Sequence, residues 1–403
     1  MKHILFILLI VITGLVNGFT QSYFSNLPGS FGLYQYNSGT RGMAMGGVTL
    51  ALPDSIAPTA YGITQWGAIR HSRILMGGQY FITRTEIENF AYNKASAGIN
   101  NVVIVIPLIS GKWHLGFTLM PLSTNLAAFN RQYTASAGTY REISSRQANL
   151  GKAQFSMAWS PVPQVSMAVA YNYYFGKNIV EYKILFDSGD FNDIRLKDEY
   201  RLSGNGIGLY LGMNSIPRIR LTGFVEVSPR VNTIWRSSYS YAGKLTVSEE
   251  KNIQATIPTQ VGAGISFKLG DHLTLATDGI YQNWSNGFGL LLPSLNIGKE
   301  WFHIGAGIEL GALRERHTPL LRKIDWRLGV SVENTGYVFQ GMEIYQYALH
   351  WGVGIPFFFG YNRLDFAIQA GTRGNKQLTI AKENFIKFNF GVSLGEKWFQ
   401  RIR

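Results

Sequence analysis

Histidine, cysteine and serine motifs are the first places to look for chemistry in this chain. The sequence has no HExxH and no GxSxG segment, so neither a zinc protease site nor a nucleophile elbow is predicted. The absence of cysteine excludes disulfides, thiolate metal sites and lipid-modified cysteine. The internal histidines are widely separated: His71, His114, His272, His303, His317 and His350. We therefore expect no enzyme activity, metal or cofactor. Sequence motifs leave open an enzyme site that is assembled from several strands.

A different chemistry, the binding of apolar molecules, is suggested by an apolar segment near the N-terminus. Its side chains would bury hydrocarbon at about 0.8 kcal/mol per CH₂. Arg41 in the same segment would pair with a carboxylate if it faces a lumen. In the alternative role, Arg41 bonds carbonyl groups of its own segment and holds that segment in place. The candidate ligand-binding residues are Phe24, Phe31, Leu33, Arg41, Met43 and Met45.

The first residues of the chain have the pattern of a secretory signal peptide. Lys2 and His3 precede an apolar run from Ile4 to about Leu15, which gives way to small and polar residues. An uncleaved membrane anchor is the alternative, but a spanning helix needs about 20 apolar residues. We therefore predict that residues 1–20 are a signal peptide and that the protein is exported.

The composition indicates a surface that does not face water alone. Hydrophobic residues make up 46% of the chain and charged residues 15%, whereas soluble domains contain about 25% charged residues. The most apolar internal stretches, Val102–Ile109 and Gly289–Leu295, are interrupted by proline and too short to be spanning helices. The net charge of +13 is explained by anionic lipid headgroups. Nucleic acid is not expected, because the chain has no dense Lys/Arg run.

Residues 72–403 alternate bulky apolar residues with small or polar ones, which is typical of a transmembrane β-barrel. In the last segment, Ile386, Phe388 and Phe390 would share one face, and Lys387 and Asn389 the other. A soluble β-sandwich also alternates, but its second face is richly charged. Here the second face is mainly Gly, Ser and Ala. We predict an all-β, antiparallel transmembrane barrel of about 14 strands in the bacterial outer membrane.

The connections are expected to alternate between short periplasmic turns and long outer loops. The short ones are Ser160–Gln164, Asn214–Pro217, Leu269–Asp271 and Phe357–Asn362. The long ones are Ala127–Leu150, Lys177–Gly204, Arg230–Thr256 and Asn286–Lys299. Gly311–Lys323 is longer than its periplasmic assignment predicts.

Aromatic residues cluster where strands meet turns and indicate membrane girdles. Ligand stacking is the alternative for any one cluster. The girdle candidates are Tyr171, Tyr173, Tyr174 and Phe175, then Phe357, Phe358, Phe359 and Tyr361, and finally Trp398 and Phe399, with Trp284 at the outer interface.

Residues 21–71 lie before the first predicted barrel strand and lack strand alternation. A disordered leader would contain few large apolar residues, whereas this segment contains Leu50 and Trp66 besides the candidate binding residues. We therefore predict a hatch, a segment folded into the lumen of the barrel.

Three segments carry a resemblance to a known family. Ser38–Asp54 (SGTRGMAMGGVTLALPD), the glycine-rich pair Gly204–Arg230 and the pair Ile257–Ser285 occur in that order. Together they resemble the FadL-like family of outer-membrane transporters for long-chain fatty acids and aromatic hydrocarbons. The chain departs from the family in having Tyr61–Thr64 where Asn-Pro-Ala is common, and in continuing past its C-terminal aromatic pair.

The resemblance implies passive uptake of hydrophobic molecules through a hatch-gated barrel of 14 strands. It also leaves open an alternative, in which the barrel is a subunit or platform of a machine for protein secretion or surface attachment. The expected partners are hydrophobic small molecules, outer-membrane lipid and lipopolysaccharide, and the barrel-assembly machinery during insertion. A secretion machine joins them under the alternative.

Overall fold

One antiparallel β-sheet dominates the computed structural model, which describes residues 22–24, 32–87, 90–135, 138–187, 192–216, 218–228, 231–255, 257–285, 298–313, 319–358, 360–379 and 381–396. The predicted signal peptide, residues 1–20, lies outside these ranges. The described strands are β1 (Leu33–Tyr34), β2 (Ser72–Ile87), β3 (Phe90–Ile109), β4 (Trp113–Ala135), β5 (Gly138–Val162), β6 (Val165–Phe186), β7 (Ile194–Ile216), β8 (Ile219–Val227), β9 (Val231–Tyr241), β10 (Lys244–Ala255), β11 (Gln260–Leu269), β12 (Leu273–Asn283), β13 (Glu300–Leu310), β14 (Asp325–Phe339), β15 (Met342–Phe357), β16 (Asn362–Arg373) and β17 (Ala381–Glu396). The helices are α1 (Gly39–Ala44), α2 (Lys376–Thr379) and two 3₁₀ helices, Ile63–Ala68 and Leu320–Lys323.

Fourteen of these strands, β2–β8 and β11–β17, close into a barrel. The last strand pairs with the first, from Glu396 opposite Ser72 to Ala381 opposite Ile87. Strand β8 pairs directly with β11, because the β9–β10 hairpin lies beside the outer half of β7. Strands β3 and β4 are paired only from Val102 opposite Leu119 to Ile109 opposite Trp113, and further out β4 pairs with β1 of the hatch. The predicted barrel and its strand number are confirmed.

Side chains alternate between lumen and membrane along each strand. In β13, Trp301, His303 and Glu309 are buried inside, whereas Ile304 and Ile308 are about half exposed on the outside. The outward band of apolar residues suits hydrocarbon, and the inward face is mostly small or polar. This surface places the protein in the outer membrane, as predicted.

The barrel ends and the short turns identify the periplasmic side. Strand β2 begins and β17 ends at the same rim, and tight turns follow β3, β5, β7, β11 and β15 there. Short turns are periplasmic in outer-membrane barrels. The longer connection after β13, which contains the second 3₁₀ helix, also lies at this rim.

Strand lengths differ strongly around the barrel. Strands β8 and β11–β13 have 9 to 11 residues, which matches the roughly 9–11 needed to cross a bilayer. Strands β4–β7 have 22 to 25 residues. The predicted long loops Ala127–Leu150, Lys177–Gly204 and Arg230–Thr256 are therefore mostly strand. The pairs β4–β5, β5–β6 and β6–β7 each stay together along almost their whole length, so their hydrogen bonding continues beyond the membrane.

The described part of the hatch lies inside the barrel. Strand β1 pairs with β4, helix α1 contacts β14–β17, and the first 3₁₀ helix contacts β4–β7 on the facing wall. None of the described helices has the length and apolarity needed to cross a membrane. The hatch thus joins two opposite walls of the barrel, and its interface with them is where a functional site would lie.

Candidate functional site

The motif SGTRGMAMGG forms helix α1 and a tight turn that fits against a glycine patch of the wall. Gly46 and Gly47 both have positive φ, +80° and +90°, which favours glycine. On the wall, a Cβ added to Gly305 would come 1.9 Å from the Gly46 carbonyl oxygen. Further wall glycines against residues 44–46 are Gly307, Gly329 and Gly352. Backbone therefore packs on backbone here, and larger side chains would displace the hatch.

Arg41 connects this helix to the wall through Glu309. Its Nε and Nη2 donate to the two Glu309 carboxylate oxygens at 2.8 and 2.6 Å, a bidentate arrangement. Arg41 also donates to the Pro53 carbonyl at 2.9 Å and approaches Asp54 at 3.2 Å. Its side chain is only 9% exposed. Arg41 thus both bonds its own segment and pairs with a carboxylate, which here belongs to the wall.

The Arg41–Glu309 pair belongs to a larger set of charges, called here the charge network. Arg327 donates to Glu309 and Asp365, each at 2.6 Å. Arg363 donates to Asp365 at 2.8 Å and to Asp54 of the hatch. The network consists of Arg41, Asp54, Glu309, Asp325, Arg327, Arg363 and Asp365. Three guanidinium groups face four carboxylates, so the set carries a net charge of −1.

Asp54 shows how strongly this network favours ionised groups. Burial alone raises the pKa of Asp54, but Arg363 and Arg41 outweigh burial and lower that pKa to about 2. Its Oδ1 also accepts from the Ile56 and Ala57 amides at 2.8 and 3.0 Å. Asp54 therefore remains charged at neutral pH and holds the end of the hatch motif.

Outside the charge network, three wall side chains hold the hatch backbone by hydrogen bonds. Asp278 accepts from the amides of Thr49 and Leu50. His303 Nε2 lies 3.0 Å from the Gly46 carbonyl oxygen, and Ser266 donates to the Ala51 carbonyl at 2.7 Å. Buried polar groups of a hatch need such partners, because none is available from bulk water. Three neighbouring wall strands, β11, β12 and β13, supply them.

A second buried ion pair lies on the opposite wall. Lys152 Nζ is 2.9 Å from Glu226, and both side chains are nearly inaccessible. Tyr210 and Gln154 also donate to this carboxylate. Lys152 lies over the ring of the hatch residue Tyr61, 4.6 Å from its centroid. This pair thus contacts the hatch through a cation–π interaction.

Near the outer end, aromatic rings of the hatch and the wall pack together. Tyr34 of β1 packs edge-on against Trp301 at 4.8 Å and Trp284 at 6.3 Å between centroids. Tyr337 packs on Trp284 at 6.2 Å. These four residues, called here the aromatic cluster, are 3% exposed or less. Trp284 therefore belongs to the lumen interior, and its assignment to the membrane interface was wrong, because it follows the last residue of β12 and turns inward.

The other girdle residues divide by strand parity. Tyr171, Tyr173 and Phe175 of β6 face outward and are 38–47% exposed, whereas the neighbouring Tyr174 is buried. Phe358 and Tyr361 are exposed at the periplasmic turn. Phe359, Trp398 and Phe399 lie outside the described residues.

The predicted ligand-binding residues are distributed over separate places. Phe24 and Leu33 pack near Tyr337 at the outer end. Met43 packs against Ala367, and Met45 against Val48 and Leu52 in another cluster. Arg41 lies in the charge network, and Phe31 is outside the described residues.

A small cavity separates Met43 and Leu33 from the wall. Its volume is about 60 Å³, enough for a few water molecules. Phe81 and Phe385 line it as a stacked pair, 5.5 Å between centroids, with the Arg373 guanidinium 4.6 Å from the Phe385 ring.

Sequence reasoning missed the wall side of the interface. Glu309, Arg327, Arg363 and Asp365 occupy lumen-facing positions, and charged residues on a face of mostly small or polar residues were the available signal. The hatch partner of each charge could not be found from spacing alone. Among the described residues, no group of three or more His, Cys, Asp or Glu side chains could hold a metal.

Comparisons with known proteins agree with this architecture. A family model described as BamG matches residues 1–403. No curated protein is significantly similar in sequence. The CymD monoaromatic hydrocarbon channel aligns with a TM-score of 0.58 at 14% identity, covering 92% of this chain and 99% of that chain. A Pseudomonas aeruginosa FadL homologue gives 0.62 at 10% identity, covering 90% and 98%. The Pseudomonas putida toluene transporter TodX gives 0.56 at 12% identity, covering 90% and 97%. At these identities the likeness shows a shared fold, the FadL-type barrel.

Proposed function

We propose that this chain, which belongs to the BamG family, works as a subunit or platform of an outer-membrane assembly or secretion machine. In this function the barrel is held closed by its hatch. The observation that carries this proposal is the charge network. It joins the hatch to β13, β14 and β16 through buried, charge-assisted hydrogen bonds. Opening the lumen would separate these buried charges from their partners, which is costly.

The polarity of the lumen supports the same function. The wall presents buried Gln, Asn, Thr, Glu and Arg side chains to the lumen. Several of them bond to the hatch, as Glu309 does to Arg41, Gln282 to Tyr34 and Thr222 to Gln65. An apolar molecule gains little from such a surface, because its burial must remove polar groups from their partners. The lumen is therefore better suited to a fixed support than to a hydrophobic passage.

The family description and the outer sheet give further support. The name BamG hints at a relation to the barrel-assembly machinery. Strands β4–β7 and the β9–β10 hairpin continue outside the membrane as a sheet, which offers an extended surface to a partner protein. A platform needs such a rigid surface and does not need an open pore.

A passive channel for hydrophobic molecules is the second candidate. This chain shares its fold with CymD, a monoaromatic hydrocarbon channel, and with TodX, a toluene transporter. In that function the hatch shifts, and a long-chain fatty acid or an aromatic hydrocarbon contacts the candidate binding residues, with Arg41 exchanging Glu309 for a ligand carboxylate. The substrates would be apolar and no energy source would be consumed.

Two measurements on the same strain separate the candidates. Affinity purification of the tagged barrel from native outer membranes is expected to bring a second outer-membrane protein along in a fixed ratio. Uptake of labelled oleate and toluene by transporter-deficient cells is expected to equal that of the empty-vector control. Saturable uptake by the wild-type barrel, lost on deletion of residues 24–60, together with purification as a lone barrel, would instead establish the channel.

A further inference from the structure

A basic cleft at the periplasmic mouth is separate from the charge network. It measures about 400 Å³ and lies between the first 3₁₀ helix and the periplasmic turns after β3 and β5. Arg70, Lys112 and Arg220 line it, and its lining contains neither Asp nor Glu. Three cations thus surround one concave space that opens towards the periplasm.

These cations differ from the arginines of the charge network in having no carboxylate partner. In the described part of the chain, no carboxylate oxygen lies within 4.0 Å of the Arg220 guanidinium or the Lys112 ammonium group. Arg70 makes a single weak hydrogen bond, 3.4 Å, to Ser110. Arg220 is partly buried, so an anionic partner would stabilise it.

A neighbouring cavity of about 500 Å³ adds to the positive charge at Arg220. The two cavities share Pro53, Ala68 and Arg220, and the second is also lined by Arg218 and Lys268. Of its carboxylates, Asp54, Glu309 and Asp325 are already paired with arginines of the charge network, which leaves Asp271.

Hydroxyl groups complete the donor set of the cleft. Ser166 is 4% exposed, lines the cleft, and has an Oγ without a partner in the described structure. Ser110 and Ser160 lie on the same lining. Guanidinium, ammonium and hydroxyl donors that converge from several elements match the oxygens of a phosphate group.

We propose that this cleft binds a phosphate group from the periplasmic side, carried either by the headgroup of an anionic phospholipid or by free phosphate. The bound phosphate offsets part of the positive charge of Arg220, Arg70 and Lys112 and gives Ser166 a partner. Because Gln65, Gly67 and Ala68 of the 3₁₀ helix line the cleft, the ligand also fixes the end of the hatch to the turns of the barrel. This site is independent of which proposed function is correct.

The test compares two charge-matched variants of the full-length barrel in a zwitterionic detergent. One carries Arg220→Gln and Lys112→Gln in the cleft; the control carries Lys177→Gln and Lys382→Gln on outer parts of β6 and β17. Inorganic phosphate is titrated by calorimetry, and phosphatidylglycerol is titrated by native mass spectrometry. We expect saturable binding of at least one probe to wild type and control, and at least tenfold weaker binding to the cleft variant.

Each outcome decides something. Binding of inorganic phosphate identifies a free-anion site, and binding of phosphatidylglycerol alone identifies a headgroup site. No saturable binding of either probe to wild type, or equal loss in both variants, overturns the proposal. If the cleft variant fails to fold, amine labelling of the wild-type protein replaces it. The bound probe must then protect Lys112 from labelling and leave Lys177 reactive. Unchanged labelling of Lys112 also overturns the proposal.

Discussion

Towards the periplasm the hatch meets the barrel wall through the charge network, whereas towards the outside it meets the wall through the aromatic cluster. In the first region Arg41 reaches Glu309 with two charge-assisted hydrogen bonds. In the second, Tyr34 packs against Trp284 and Trp301, and its hydroxyl accepts from Gln282 at 3.0 Å. Both regions are buried, so they differ chiefly in the kind of interaction that holds the hatch to the wall.

The two regions should respond differently to the loss of one partner. A buried charge that loses its counter-charge becomes a cost in itself, so its removal affects the whole network. A ring that is lost from an aromatic cluster leaves a cavity whose cost is local. We therefore expect that loss of one charge destabilises the docking of the whole hatch, whereas loss of one ring destabilises only the residues around it.

The largest effect is expected from Arg41→Met. This change leaves two guanidinium groups against four carboxylates, so hatch docking should weaken by about 3–5 kcal/mol. Amide hydrogen exchange of hatch peptides should then be faster by roughly 10²–10³-fold or more. Arg84→Gln, which removes an exposed pair with Glu86, serves as the control and should leave hatch exchange unchanged.

A double variant sharpens this first prediction. Arg41→Met with Glu309→Met returns the network to its original net charge of −1, so much of the lost protection should be recovered. If the hatch amides of the double variant exchange faster than those of Arg41→Met alone, packing and not charge holds Arg41 against Glu309. The proposed contrast between the charge network and the aromatic cluster would then be wrong.

An intermediate effect is expected from Trp301→Leu in the aromatic cluster. The smaller side chain leaves a partial cavity beside Tyr34 and removes the hydrogen bond from Trp301 Nε1 to Glu333. We expect a cost of about 2–3 kcal/mol, confined to hatch residues near β1. Exchange measured peptide by peptide checks this; faster exchange around Arg41 as well would show that the regions are coupled.

The smallest effect is expected from Tyr34→Phe. It keeps the ring and removes a hydroxyl, so Gln282 loses one neutral hydrogen-bond acceptor at a cost of about 1 kcal/mol. The change is measured as a shift in the urea midpoint of hatch release, followed by proteolysis. A shift as large as that of Arg41→Met would contradict the assignment of neutral, local forces to this region.

Much of the architecture could be predicted from the sequence because a membrane barrel imposes period-two alternation on every strand. The segment around Phe388 shows this, and it forms β17 with the expected parity. The long outer segments such as Lys177–Gly204 were expected to be loops, because the membrane signal ends with the apolar band. Hydrogen bonding between β6 and β7 continues past that band, and polar strands can satisfy it without lipid.

The hatch was predictable from its apolar residues, but its contacts were not. Met43, Met45 and Leu33 were candidate ligand-binding residues, and they pack in three separate clusters. Their partners come from β12, β14 and β16, which are distant in sequence, and no local rule brings a hatch residue to one strand in preference to another.

By itself, the sequence determined the membrane barrel, its strand number and the presence of a hatch, since alternation, composition and the Ser38–Asp54 motif are local properties. Tertiary structure decided that Arg41 faces Glu309 and that Trp284 turns inward. It also decided that, among the described residues, Arg220 has no carboxylate partner while Arg363 has several. Each of these contacts depends on which residues of different strands lie at the same height in the closed barrel. Strand register fixes that height, and spacing along the chain does not reveal it.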